Sequence, residues 1–69
     1  MNRTFAAIIH KEDEWYVAVC PEIGTGSQGH TLEEALKNLQ EATELYLEEF
    51  PLKENSHPIF TIFEVAVNA

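Results

Sequence analysis

One cysteine and three histidines are the side chains in this sequence best suited to nucleophilic or metal chemistry. They are Cys20, His10, His30 and His57. They lie far apart in the sequence and match no zinc-site spacing, in which ligands come in close pairs. Cys20 and His30 could pair across a loop as nucleophile and base, but a thiol attacks only as the thiolate with a base close by. Because cysteine is one of the most frequently buried residues, we favour a buried hydrophobe at Cys20. We therefore expect no metal and no other cofactor.

The abundance of acidic residues raises a second chemical alternative, a metal-dependent hydrolase. Such an enzyme needs several carboxylates converging on divalent ions that clamp the attacking and leaving oxygens. The acids here fall mainly on a predicted helix and a predicted turn, and Glu64 is the only acid inside a predicted strand. We therefore expect no catalytic residues, and no enzyme.

The net charge of −8 comes from 12 acidic and 4 basic residues. Direct nucleic-acid binding is disfavoured, because phosphate contacts need clustered Lys and Arg. The acidic surface would steer towards a basic partner, although acid also simply keeps a small protein soluble. A lone cysteine fits a reducing cytoplasm, and neither a signal-peptide pattern nor an apolar run of the ~20 residues that span a bilayer is present. We expect a cytoplasmic protein without membrane contact.

The apolar pattern predicts four strands and one helix. In chain order these are strands over 3–10, 15–20 and at most 27–29, a helix over 32–50, and a last strand over 59–67. Residues 11–14 are expected to form a polar turn between the first two strands. Thr31 and Glu34 have the spacing of a capping box at the helix start, and Pro51 ends the helix. An apolar stripe at three- and four-residue steps, which includes Tyr46 and Phe50, predicts the side of the helix that faces the sheet, and glutamates fill the opposite, solvated side. Gly29 and His30 are expected to lead into the helix through a tight turn.

These elements predict a single α+β domain over residues 1–69, with the element order β-β-β-α-β. A right-handed crossover places the last strand parallel to the first, so the expected sheet order is 3-2-1-4. Both faces of this sheet are mostly apolar, yet one helix covers only one face. A second copy of the chain is the simplest cover for the other face, which predicts a homo-oligomer. The candidate interface residues are Trp15, Tyr16, Phe60, Phe63 and Val65.

About half of the chain, from Trp15 to Leu47, resembles the N-terminal domain of HicB-type antitoxins. The shared features are an aromatic-Val strand, a proline with an acidic residue, a small-residue loop, and a Gly before T-x-E-E-A. In this chain they are Tyr16-Val17, Pro21-Glu22, 23–27, Gly29 and Thr31-Leu32-Glu33-Glu34-Ala35, with Asn38, Glu41 and Ala42 also fitting. Most members of that family carry Asp where this chain has His30.

The resemblance implies a truncated ribonuclease H-like fold and an interaction role. HicB proteins neutralise HicA, a small basic toxin that cleaves messenger RNA, and often bind DNA through a second domain. That second domain is not found up to Ala69, so operator binding is not expected of this stretch. The expected function is therefore binding and neutralising a small basic HicA-like protein. The alternative is a stand-alone homo-oligomer without a toxin partner.

Overall fold

A computed structural model describes residues 3–52, 59 and 61–68. It contains three strands followed by one helix, so the predicted α+β class is confirmed. The elements are β1 (Ile8–Glu12), β2 (Trp15–Cys20), β3 (Thr25–Gly29) and α1 (Leu32–Glu49). The strands form an antiparallel sheet in the order β1-β2-β3.

The first hairpin closes over two residues rather than the predicted four-residue turn at 11–14. Lys11 and Glu12 belong to β1, and Glu12 pairs directly with Trp15. Asp13 adopts a positive φ of 55°. Aspartate tolerates this left-handed conformation better than most residues, which allows so short a loop.

The chain before β1 is held by a side chain rather than by strand pairing. β1 begins at Ile8 instead of the predicted residue 3. The Ala6 N–H donates to the Glu22 carboxylate at 3.0 Å. This bond supplies the partner that a β ladder would otherwise give, and it holds the N-terminal residues beside the end of β2.

The start of α1 confirms the predicted cap. The Thr31 hydroxyl accepts a hydrogen bond from the Glu34 N–H at 3.0 Å. The Glu34 carboxylate accepts from the His30 N–H at 2.8 Å, one residue upstream of its partner in an ordinary capping box. Two N–H groups at the helix entrance are therefore satisfied locally, and the helix ends one residue before its predicted end.

Gly29 is required by close packing and not by a turn, which corrects the expectation from the sequence. It is buried as the last residue of β3. A Cβ at this position would lie 2.6 Å from the Ala35 nitrogen and 2.9 Å from the Glu34 Cβ. Among the described glycines, the left-handed conformation occurs at Gly24, whose φ is 93°. The first turn of α1 thus rests directly on the backbone of β3.

The core lies between α1 and the β2–β3 part of the sheet, and it is built from small side chains. Its buried members are Ala18, Cys20, Ala35 and Leu39. Cys20 is 1% exposed, so the prediction of a buried residue there is confirmed. Three side-chain hydrogen bonds also join α1 to β3: Thr25 Oγ1 with Thr43 Oγ1 (2.7 Å), Ser27 Oγ to the Ala35 carbonyl (2.7 Å), and Asn38 Nδ2 to the Gln28 carbonyl (2.9 Å).

The predicted fourth strand is not formed in the part of the chain that the structure describes. Residues 61–68 have no strand assignment. Ile59, Ile62 and Phe63 are 86–93% exposed, and Phe60 lies outside the described residues. The order 3-2-1 is present as β3-β2-β1, whereas the place of a fourth strand beside β1 stays a prediction.

Candidate interaction surfaces

Strand register decides which sheet residues meet the helix. In β2, Ala18 and Cys20 are buried beneath α1, so the alternate residues Trp15, Val17 and Val19 point away from it. Paired residues of an antiparallel ladder share a face. The face opposite the helix, called here the open face, therefore consists of Ile8, His10, Glu12, Trp15, Val17, Val19, Gly26 and Gln28.

The open face is apolar at one end and mixed at the hairpin end, where polar side chains lie beside Trp15. Ile8, 57% exposed, pairs with Val19, which is half-buried. At the hairpin end, His10 Nε2 lies 2.7 Å from Glu12 Oε2, and both side chains are exposed. The expectation of an apolar second face thus holds around Ile8 and Val19 but not around the His10–Glu12 pair.

His30, the position at which this chain departs from the HicB pattern, stacks against Trp15. The ring centroids are 4.1 Å apart and the planes are 30° from parallel. Trp15 retains 38% exposure. The stack packs the residue just after β3 against the first residue of β2, so this end of the open face has a defined aromatic edge.

Cys20 and His30 are not brought together. His30 follows Gly29, which pairs with Tyr16, whereas Cys20 lies four residues along β2. At about 3.3 Å per residue this is about 13 Å of strand. The Cys20 thiol points instead towards the Glu22 carboxylate, with Sγ to Oε1 at 3.8 Å. The geometry does not support a Cys–His pair.

No three potential metal ligands among His, Cys, Asp and Glu cluster within residues 3–52, 59 and 61–68. In the same stretches, no helix combines the length and apolar character needed to cross a bilayer.

An acidic surface lies on the side of α1 away from the sheet. We call it the acidic helix surface, and it consists of Glu41, Glu44, Leu45 and Glu48, which line one shallow depression. Leu45 is 64% exposed. Helical spacing predicts the solvated glutamates. It misses Leu45, because this residue lies outside the apolar stripe of the helix. Its signal is an apolar residue with Glu at i−4, i−1 and i+3.

The C-terminal half of α1 is more exposed than the apolar stripe predicted. That stripe placed Tyr46 and Phe50 against the sheet, but they are 39% and 59% exposed. Their rings contact each other at 4.9 Å between centroids. The buried helix residues are Ala35, Leu39 and Thr43, because the three described strands cover only this line of the helix.

The five candidate interface residues do not form one patch in the described structure. Trp15 lies on the open face, whereas Tyr16 is half-buried on the helix side, with the Lys11 Nζ 5.8 Å from its ring centroid. Phe63 is 86% exposed and Val65 is 69% exposed, outside the sheet. Phe60 falls outside the described residues. Their joint role in an interface remains a prediction.

Comparison with known proteins links the chain to homologues named UPF0150 proteins. It is 48% identical over 46 residues to a UPF0150 protein of Synechocystis sp., a match covering 64% of this chain and 58% of that protein. It is 50% identical over 42 residues to a UPF0150 protein of Helicobacter pylori, covering 59% of this chain and 58% of that protein. No protein-family profile matches the chain, and no solved structure matches it. The matches thus span 58% of the length of each relative, and neither name states an activity.

Proposed function

We propose that this chain is a non-catalytic, antitoxin-like protein that binds and neutralises a small basic HicA-type toxin. In this proposal the protein acts in the cytoplasm, where messenger RNA is cleaved. It acts there as a homo-oligomer. The observation that carries the proposal is the acidic helix surface, in which an exposed apolar side chain is surrounded by carboxylates. The HicB-like sequence pattern from Trp15 to Leu47 supplies the kind of partner.

The acidic helix surface has the composition of a binding site for a basic protein. Interfaces combine an apolar centre with a polar rim. Leu45 supplies the exposed apolar centre, and Glu41 and Glu48 supply charge one turn away on either side. Carboxylates at the rim steer a cationic partner and suppress anionic ones, so they raise the association rate more than the affinity.

The small core supports the homo-oligomeric part of the proposal. Cys20 is the largest fully buried side chain in the described residues, and a chain of this length rarely gains more than about 3–5 kcal/mol from its own core. Covering the apolar end of the open face, at Ile8 and Val19, would bury further apolar surface. In this proposal residues 59–67 add the fourth strand beside β1.

The test is inhibition of messenger-RNA cleavage by a purified HicA-type ribonuclease, preferably the product of a basic reading frame adjacent to this one. We expect inhibition to be complete near an equimolar ratio of this chain to toxin. Cleavage that continues unchanged in excess of the chain would remove the proposal and leave the alternative of a homo-oligomer without a toxin.

Charge reversal locates the binding surface. The double variant E41K/E48K should weaken inhibition at least tenfold, because it reverses the rim around Leu45. The control E12K/E14K changes charge at the hairpin tip instead. Each pair raises the net charge by four units, from −8 to −4, so net charge alone cannot distinguish them. Equal losses in both variants would contradict binding at the helix.

A further inference from the structure

A groove runs between the residues that precede β1 and one side of α1. Its volume is about 770 Å³, and its apolar lining includes Phe5, Ala7, Leu36, Leu39 and Leu47. Leu36 remains 43% exposed. α1 packs mainly on β3 and β2, which leaves this side of the helix open next to Phe5 and Ala7. We call this feature the edge groove.

The unpaired backbone edge of β1 continues the N-terminal stretch that lines this groove, since Phe5 and Ala7 lead directly into β1 at Ile8. Among the described residues β1 pairs with β2 alone. Such an edge presents a row of N–H and C=O groups that can pair with another strand. The edge groove offers an apolar surface and the edge of β1 offers unpaired backbone groups, which are the two things that one added apolar strand would need.

Near its C-terminal end the chain carries an apolar segment that could form such a strand. We call residues 59 and 61–68 the C-terminal segment. It is rich in β-branched and aromatic residues, which favour strands, and Glu64 is its only charged residue. In an extended strand Ile59, Phe63 and Val67 would share one side. Their side chains are 80–89% exposed. A strand over 59–67 would extend about 30 Å at 3.3 Å per residue, more than the roughly 16 Å of the five-residue edge of β1.

This segment makes little contact with the rest of its chain, since its large apolar side chains are the most exposed among the described residues. The radius of gyration is 14.0 Å and the longest dimension is 45 Å, whereas a compact chain of this length would have a radius near 11 Å. The chain leaves the helix extended, since Phe50 has φ −130° and ψ 77° and Pro51 cannot continue the helix. Each copy therefore has one empty groove and one detached apolar segment.

We infer that two copies of this chain exchange their C-terminal segments, each segment lying in the edge groove and along β1 of the other copy. The exchange is reciprocal, so it closes as a twofold dimer with no surface left to propagate. Ile59, Phe63 and Val67 enter the partner's groove, and the fourth strand of each sheet is supplied by the other chain. The inference rests on the homo-oligomer part of the proposed function and is independent of any toxin.

The test uses full-length chains and measures mass by light scattering after size exclusion. Wild type should have twice the chain mass of 7.8 kDa. F63D, in the segment, and L36D, in the groove, should each dissociate at least tenfold more readily. The control L32D lies one turn from L36D, with 45% against 43% exposure, but does not line the groove, so it should remain dimeric.

Mixing the two defective variants distinguishes exchange from docking within one chain. The groove of F63D and the segment of L36D are both intact, so differently tagged F63D and L36D should form a mixed one-to-one dimer. Circular dichroism checks that L36D is folded, with L47D as a second groove variant. A monomeric wild type, a dimeric F63D, or no mixed dimer would each overturn the exchange. None of these outcomes bears on toxin inhibition, which is measured separately.

Discussion

Replacing Gly29 with alanine tests whether α1 is seated directly on β3. The added Cβ would lie 2.6 Å from the Ala35 nitrogen and 2.9 Å from the Glu34 Cβ. The nearest of these atoms is backbone in the first turn of the helix, so it cannot swing aside as the end of a flexible side chain would. The clash is relieved only if the whole start of α1 moves off the sheet.

The expected cost of this displacement is large for so small a domain. Overpacking a well-fitted site costs about 1–3 kcal/mol. For a chain of about 60–100 residues, each kcal/mol lowers Tm by about 4–8 °C. A mid-range cost of about 2 kcal/mol therefore lowers Tm by about 8–16 °C. This is a substantial part of the roughly 3–5 kcal/mol that a core of this size supplies.

Two other glycines provide matched controls for G29A. At Gly26 a Cβ would meet the Ala18 carbonyl at 3.7 Å, an ordinary contact, so G26A should change the free energy of unfolding by less than about 0.5 kcal/mol. At Gly24 there is open space but φ is +93°, so G24A should cost about 1–2 kcal/mol through backbone strain alone. The comparison separates a packing clash from the general effect of removing a glycine.

The assay is thermal and urea unfolding followed by far-ultraviolet circular dichroism and by the fluorescence of Trp15. All variants are compared at one protein concentration, because oligomerisation would make Tm concentration-dependent. G29A should be less stable than G26A by at least 1 kcal/mol, the lower end of the overpacking range. Equal stabilities for G29A and G26A would refute the direct seating of α1 on β3.

The remaining predictions concern the polar contacts that fix α1, and each is measured by urea unfolding. T31A removes the hydroxyl that caps Glu34 and should cost about 1 kcal/mol, whereas T31S should be nearly neutral; equal losses would argue against the cap. Valine at Thr25 and Thr43, singly and together, should reveal a coupling free energy of about 1 kcal/mol from their shared hydrogen bond; strict additivity would contradict that bond. S27A removes the Ser27 donor to the helix backbone and should cost about 1 kcal/mol, and an unchanged stability would show that the contact contributes nothing.

Local chemistry explains which elements the sequence predicts well. β2 over 15–20 matches its predicted range, because β-branched and aromatic residues and the following proline mark both ends. The helix start is also right, since Thr31 and Glu34 act through bonds three residues apart. These features depend on near neighbours in the chain, so a single sequence contains the information.

The errors occur where distant residues decide the outcome. β1 starts at Ile8, and the Ala6 N–H before it donates to Glu22, sixteen residues further along the chain, instead of to a strand. From the sequence Gly29 resembles a turn residue. In the structure glycine is needed there because the backbone of the helix approaches too closely for a Cβ atom. A strand over 59–67 needs the edge of another strand to pair with. The residue types of 59–67 favour a strand, but they do not show whether its own chain or a second copy supplies that edge.

The candidate interaction surfaces follow only in part from the sequence, for the same reason. Exposed glutamates follow from helical spacing alone, and Glu41 and Glu48 lie on the expected side. Periodicity also assigned Tyr46 and Phe50 to the core, because it treats the sheet as long enough to cover the whole helix. The described sheet stops short of that, which leaves apolar side chains beside the acidic ones.

The helix separates the two proposed interactions in space. The edge groove lies on the side of α1 that carries Leu36 and Leu47, and the acidic helix surface lies on the side that carries Leu45 and Glu48. Glu44 lines both. A dimer formed by segment exchange would therefore keep both acidic surfaces accessible and hold two of them in one particle. Two linked binding sites raise the overall affinity without new contacts when one partner engages both sites at once. Segment exchange would therefore strengthen binding only to a partner, or an assembly of partners, that reaches the acidic helix surfaces of both copies. A strictly monomeric partner should bind wild type and F63D with equal affinity per site.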